Sequence, residues 1–306
     1  MGPTRMSVPQ SDHRRGLAYG LAAYGLWGLI PIYFKAAATP PLELLAHRVV
    51  WALGMLLVVC LRQLRFVEVR DALRSKRTLA LLAGTTVLIA INWLVYIWAV
   101  VNGRIVEGSL GYFMTPLVNV LLGVVVLKER LERPVVGALL VAASGVLWLS
   151  FLYGRPPWIS LSLAMSFGLY GLLRKLVRVG AVAGLTVETA FLFPLALGYL
   201  VLAGRRGALV FLSGSPGHDL FLVAAGPITA IPLLLFAGAA RRLPLTSLGF
   251  LQYLSPTLQF FLATLLYREP FSLKQGIGFG LIWAALVIFA IHTLRRGTEE
   301  PVMEPE

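Results

Sequence analysis

Glu43, His47 and Arg48 stand close together in PLELLAHRVVWALGMLLVVC (41–60), a stretch otherwise almost wholly apolar. In a helix Glu43 and His47 share a face, with Arg48 about 100° round. A carboxylate near an arginine can bind an anionic or zwitterionic solute, and a Glu–His pair can relay a proton. The structural alternative is that all three lie in the outer two turns of a span, where long side chains snorkel and pair. Glu188 sits where a sequence repeat would place the mate of Glu43; it is a coupling candidate or a carboxylate favoured by a helix N-terminus. Glu107 carries the same ambiguity. Asn92, Trp93, Tyr96 and Trp98 combine aromatic faces with an amide, as do Tyr112, Asn119, Gln252, Tyr253 and Gln259. Such sets suit a cavity for a small organic solute, or serve as packing glue and interfacial belts. Pro116 and Pro256, mid-span, each remove a backbone donor, predict paired bends and are hinge candidates.

The elements that must carry these groups are membrane helices. The chain of 306 residues is 58% apolar and 13% charged, against roughly 45–50% and 25% for soluble domains, so lipid must be the solvent for most of its surface. Ten stretches reach the apolar length of a span, about 20 residues: 16–36, 41–61, 78–101, 105–127, 134–153, 157–173, 184–203, 218–238, 244–267 and 273–294. The first follows Arg14 and Arg15 but is longer than the roughly 7–15 apolar residues of a signal peptide, and reads as an uncleaved helix. A net charge of +13 could suggest nucleic acid, yet the basic residues are dispersed in short clusters between apolar runs. Lipid head groups and topology account for them, and no nucleic-acid partner is expected. With the N-terminus inside, the cytoplasmic segments hold 19 Lys and Arg and the external ones 7, Arg48 lying within a span. That bias places both termini in the cytoplasm.

The chain also echoes itself. SLGYFMTPLVNVLLGVVVLKER (109–130) resembles SLGFLQYLSPTLQFFLATLLYRE (247–269), pairing Pro116 with Pro256, Asn119 with Gln259 and Glu129 with Glu269. GLWGLIPIYFK (25–35) more loosely matches GLYGLLRKLV (168–177). Five spans per half require the second half to enter the membrane upside down, and inverted repeats with a site at their interface are a common transporter plan. The expected organisation is a cytoplasmic tail (1–15), a first five-helix repeat (16–153), a second (154–294) and a cytoplasmic tail (295–306).

The strings AAYGLWGLIPIYFK (22–35), ELLAHRVVW (43–51), NWLVYIWAV (92–100), SLGYFMTPLVN (109–119), KER (128–130) and TSLGFLQYLSPTLQF (246–260) resemble RarD-type permeases of the EamA group, in the drug/metabolite transporter superfamily. The resemblance runs over about residues 16–294. It implies an all-α polytopic protein of ten transmembrane helices as two inverted EamA-like repeats, bacterial inner-membrane placement and a permease linked to chloramphenicol sensitivity. It further implies a central cavity lined by spans three, four, eight and nine.

Enzyme and metal chemistry find little support. Cys60 is the single cysteine, and His13, His47, His218 and His292 are far apart. Walker, G-x-S-x-G and HExxH motifs are lacking. Gly276-x-Gly278-x-Gly280 has no strand–turn–helix context, and with Gly16/Gly20 it reads as small-residue helix packing. The sequence therefore predicts a secondary carrier working by alternating access on a small organic solute, without cofactor. Its partners are that solute and the bilayer, with the oligomeric state open. The competing readings are a lipid or lipid-precursor flippase, which should show a laterally open polar groove, and a non-transporting membrane enzyme or assembly factor.

Overall fold

The computed structural model describes residues 10–299 except 64, 128–132, 178, 214, 241, 244–247 and 249–250. Among them regular structure is helical throughout: α1 (Gln10–Ala36), α2 (Pro41–Arg62), α3 (Phe66–Arg74), α4 (Lys76–Val101), α5 (Ile105–Leu127), α6 (Arg133–Tyr153), α7 (Trp158–Leu176), α8 (Ala181–Arg205), α9 (Pro216–Val223), α10 (Ala225–Ala240), α11 (Leu254–Phe261) with a π-helical turn (Leu262–Leu266), and α12 (Leu273–Glu299). Helical segments occur at all ten expected spans. Eight are long and apolar enough to cross a membrane, counting α9 and α10 together. The sixth expected span, α7, ends on Arg174 and Lys175, and the described helix of the ninth begins only at Leu254. The KER string, residues 244–247 and the outer parts of both tails lie outside the described residues.

Local chemistry sets the ends. Pro41 opens α2, where its missing N–H is not needed. The Ser75 hydroxyl caps α4 by accepting the Thr78 amide. At the far end of α4, Gly103 takes φ +66 and the Arg104 amide bonds back to the Ala99 carbonyl at 2.8 Å. This is the left-handed stop that glycine makes without steric cost.

The two prolines behave differently. α5 runs unbroken through Pro116. The ninth segment is interrupted at Tyr253, three residues before Pro256, which then occupies the first turn of α11. The repeat predicts paired bends; α5 stays helical through Pro116, whereas the ninth segment is broken before Pro256. The short helix α3 was not foreseen. Val69 and Ala72 pack it against Leu82, Val177 and Val187, while Phe66, Val67 and Leu73 stay exposed. At nine residues it is too short to span.

Packing runs across the two halves of the chain. α1 lies against α10 and α11, while α7 lies against α4 and α5; α2 packs on α8 and α10, and α6 on α12. Gly16 and Gly20 make the expected close contacts, with Leu243 and Leu251. Gly280 faces open space, and it is Gly278 that meets Leu149 of α6. The main core joins Phe34, Ile97, Leu110, Ile159, Leu163 and Phe279 from five helices.

Candidate functional site

Arg48 projects from α2 into the contact between α2, α4 and α10. Gly226 sets that contact, because a Cβ there would come within 2.6 Å of the Trp51 backbone. Three residues on, Thr229 therefore lies beside Arg48, whose Nε donates to Thr229 Oγ1 at 2.8 Å. The Trp93 ring of α4 lies over the guanidinium, 4.2 Å from centroid to carbon, and Phe34 of α1 is 5.7 Å away. The hydroxyls of Tyr33, Tyr96 and Tyr112 are within electrostatic range. Tyr112 donates to Asn92 Oδ1 at 3.1 Å, and Asn92 Nδ2 donates to the Leu163 carbonyl and Ser166 Oγ of α7. The Tyr96 hydroxyl is buried with no hydrogen-bond partner.

Arg48 is only 6% exposed. Among the described residues its other guanidinium nitrogens have no hydrogen-bond partner, and no carboxylate lies within ion-pair distance. Taking a charge of this size out of water costs several kcal/mol. A desolvated cation–π contact returns about 2 kcal/mol and one hydrogen bond about 1–3. Among the described residues no acid supplies the counter-charge, and the terminal guanidinium nitrogens are left without a partner. Measured along the helices, Arg48, Trp93, Tyr96 and Tyr112 are set back roughly 8–12 Å from one common face of the bundle.

Glu43, about one and a half turns nearer that face, and His47, next to Arg48 in the chain, do other work. Glu43 is fully buried, and its Oε1 accepts the amides of Val210 at 2.9 Å and Phe211 at 3.1 Å. His47 Nε2 is 3.9 Å from that oxygen, while its Nδ1 accepts the Trp51 indole N–H at 3.2 Å. Because the indole can only donate, Nδ1 must be bare and the ring neutral with its proton on Nε2. On the same face, Glu269 reaches from beyond the π turn to accept the Ile105 and Val106 amides, both at 2.9 Å. Tyr33 donates to the Phe221 carbonyl. These bonds tie the first half of the chain to the second on one side of Arg48.

Glu188 lies toward the opposite face. Its Oε1 accepts the Thr85 hydroxyl at 2.7 Å and faces Arg174 Nη1 at 3.6 Å; its Oε2 accepts the Tyr170 hydroxyl at 3.2 Å. Gly184 makes this possible, since a Cβ there would stand 2.1 Å from Arg174 Nη1.

The other candidates disperse. Gln259 donates to the Trp27 carbonyl and Ser255, binding α11 to α1. Tyr253 lines a groove of about 390 Å³ between α5, α11 and α12, with Phe113, Phe260 and Trp283. Asn119 is exposed on α5 beside Gly168 of α7, and Gln252 is half-buried. Of the predicted set, Arg48, Asn92, Trp93, Tyr96 and Tyr112 thus converge, while Asn119, Gln252, Tyr253 and Gln259 do not join them. Thr229 and Phe34 were not singled out beforehand. Phe34 falls in one of the strings that carry the family resemblance, whereas a lone threonine in an apolar span gives no signal.

Comparison with known proteins identifies the architecture. Residues 14–151 match the EamA-like transporter family. The chain is 45% identical to Protein RarD of Streptomyces exfoliatus over 94% of this chain and 92% of that one. It is 42% identical to the Bacillus subtilis protein named Uncharacterized transporter YojE, over 94% and 97%. It is 34% identical to a Pseudomonas aeruginosa relative named Chloramphenicol-sensitive protein RarD, over 90% and 93%. A crystal structure at 22% identity shares the fold, with a TM-score of 0.54 over 93% of this chain and 99% of that one. Its apolar helices and these relatives make this a multi-pass membrane protein and a transporter, not an enzyme. The chain belongs to the EamA-like transporter family, as a RarD-type permease.

Proposed function

We propose that the chain is a secondary carrier of a small organic solute, bound at Arg48 between the two halves and moved by alternating access. The observation that carries this reading is a buried arginine flanked by Trp93 and Phe34, with Tyr96 and Tyr112 in electrostatic range and no acid within ion-pair distance among the described residues. In this reading all ten helical segments cross the bacterial inner membrane as two inverted five-helix repeats (16–153 and 154–294), with both termini in the cytoplasm. The packing supports it: contacts of α1 with α10 and α11 mirror those of α7 with α4 and α5, as a two-fold exchange of halves requires. The bonds from Glu43, Glu269 and Tyr33 then form an external gate, closed here.

Coupling to protons, where it occurs, belongs to Glu188. Its Thr85 and Tyr170 partners are hydroxyls, which can turn from donor to acceptor when the carboxylate takes a proton. Glu43 faces backbone amides that only donate, and Trp51 holds His47 neutral, so neither suits a relay. The groove at Tyr253 has a mainly aromatic and aliphatic lining, unlike the polar groove a lipid head group needs.

The test is reconstitution in liposomes with a metabolite and drug panel, with and without a pH gradient. Flux that Arg48→Met abolishes is the expected result. No flux of any compound under either condition would overturn the carrier reading.

A further inference from the structure

Resting on that site, we propose that the solute is an organic monoanion: a carboxylate on a flat apolar body, bound by Arg48 and the Tyr96 hydroxyl. The guanidinium carries five N–H donors in a planar fork that matches a carboxylate. Only the Nε donor is taken, by Thr229. Both terminal nitrogens are therefore available to two carboxylate oxygens at once. Tyr112 spends its proton on Asn92, but Tyr96, 4% exposed, donates to nothing. A neutral donor and a cation, both buried and unspent, converge from α4 and α2.

The carboxylates decide against a zwitterion. Three are buried among the described residues: Glu43, Glu188 and Glu269. Glu43 takes the amides of Val210 and Phe211 on Oε1 alone, its Oε2 having no partner among the described residues, while Glu269 holds those of Ile105 and Val106 and Glu188 is committed to Thr85, Tyr170 and Arg174. An ammonium placed beside Arg48 meets a like charge, and among the described residues no carboxylate comes within ion-pair distance of the guanidinium; the amine-bearing probes below test whether Glu43 Oε2 serves one. The walls select the rest of the molecule. Trp93 covers one side of the guanidinium, Phe34 borders it, and Tyr96 meets Tyr112 edge-on at 5.3 Å. Flat rings favour an aromatic or conjugated body.

Four matched probes test the charge class on the full chain in lipid nanodiscs at neutral pH: 3-phenylpropionate, its amide, phenethylamine and phenylalanine. Binding is read by tryptophan fluorescence and by the shift in unfolding temperature. The propionate should bind about tenfold or more tightly than the other three, the margin of a charge-assisted bidentate contact. Arg48→Lys should lose most of that preference, and Tyr96→Phe should weaken the anion roughly threefold to tenfold while leaving the amide unchanged. Arg48→Met should unfold no earlier than the wild type without ligand, since it removes an uncompensated buried charge, whereas a structural arginine would cost stability. Tighter binding of the amine or of phenylalanine, equal binding of all four, or no binding of any overturns the monoanion assignment. A protein that still moves some compound in liposomes would in that case keep the carrier reading, which falls only when no flux is found.

Discussion

Two arginines within the bundle, Arg48 buried and Arg174 partly exposed, use nearly the same parts to opposite ends. Arg174 has a threonine, a tyrosine and Glu188 around it, and the carboxylate lies 3.6 Å away. Arg48 has a threonine, tyrosines and two aromatic faces, and no acid. α4 serves both, giving Thr85 to one and Trp93 and Tyr96 to the other. The first cluster has its charge partner within the chain, with Arg174 Nη1 at 3.6 Å and not hydrogen-bonded, and it joins α7, α8 and α4. The second has no anion among the described residues, and in the proposed reading that place belongs to the solute. A completed pair contributes to the fold, while an open one keeps its binding free energy for the solute.

The largest effect should come from supplying the missing acid internally. Thr229→Asp places a carboxylate against Arg48 and should abolish flux while the unfolding temperature holds or rises; retained flux would break the comparison. Glu188→Gln removes the charge opposite Arg174, whose side chain is 17% exposed, and should destabilise by about 2–4 kcal/mol, less than breaking a fully buried pair, measured by thermal unfolding in detergent. In the protein that does fold, flux should become indifferent to a pH gradient. Glu43→Gln should cost less, roughly 1.5–3 kcal/mol, the worth of hydrogen bonds to a charged acceptor. It should leave the pH response of flux intact, which separates a backbone anchor from a coupling group. Gly184→Ala should cost about 1–3 kcal/mol by pushing Arg174 off its partner, and the smaller Gly171→Ala, at a position with nothing within 4 Å of the added methyl, should change stability by less than about 0.5 kcal/mol.

Much of the convergent cluster could be read in advance, because an intramembrane arginine and an amide between aromatics are costly enough to stand out in an apolar stretch. Arg48, Asn92, Trp93, Tyr96 and Tyr112 were legible for that reason. Asn119 and Gln259 were equally conspicuous, yet one faces outward and the other joins two helices, since helical phase relative to a neighbour is a property of packing. Glu43 and Glu188 looked equivalent along the chain. Their difference lies in which groups arrive opposite them, amides from 210–211 in one case and hydroxyls from α4 and α7 in the other. Thr229 could not be ranked at all, because its place depends on Gly226 admitting the Trp51 backbone.

By itself the sequence determined that this chain is a bundle of apolar helices with an echo between its halves. Burial of apolar length and the cost of charge in lipid are local quantities, readable residue by residue. Only the tertiary structure decided that Arg48 has no acid and Arg174 has one. Whether a charge is compensated depends on which atoms helix packing brings opposite it: Glu188 reaches Arg174 from the next helix, Thr85 joins Glu188 from 103 residues away, and Thr229 reaches Arg48 from 181.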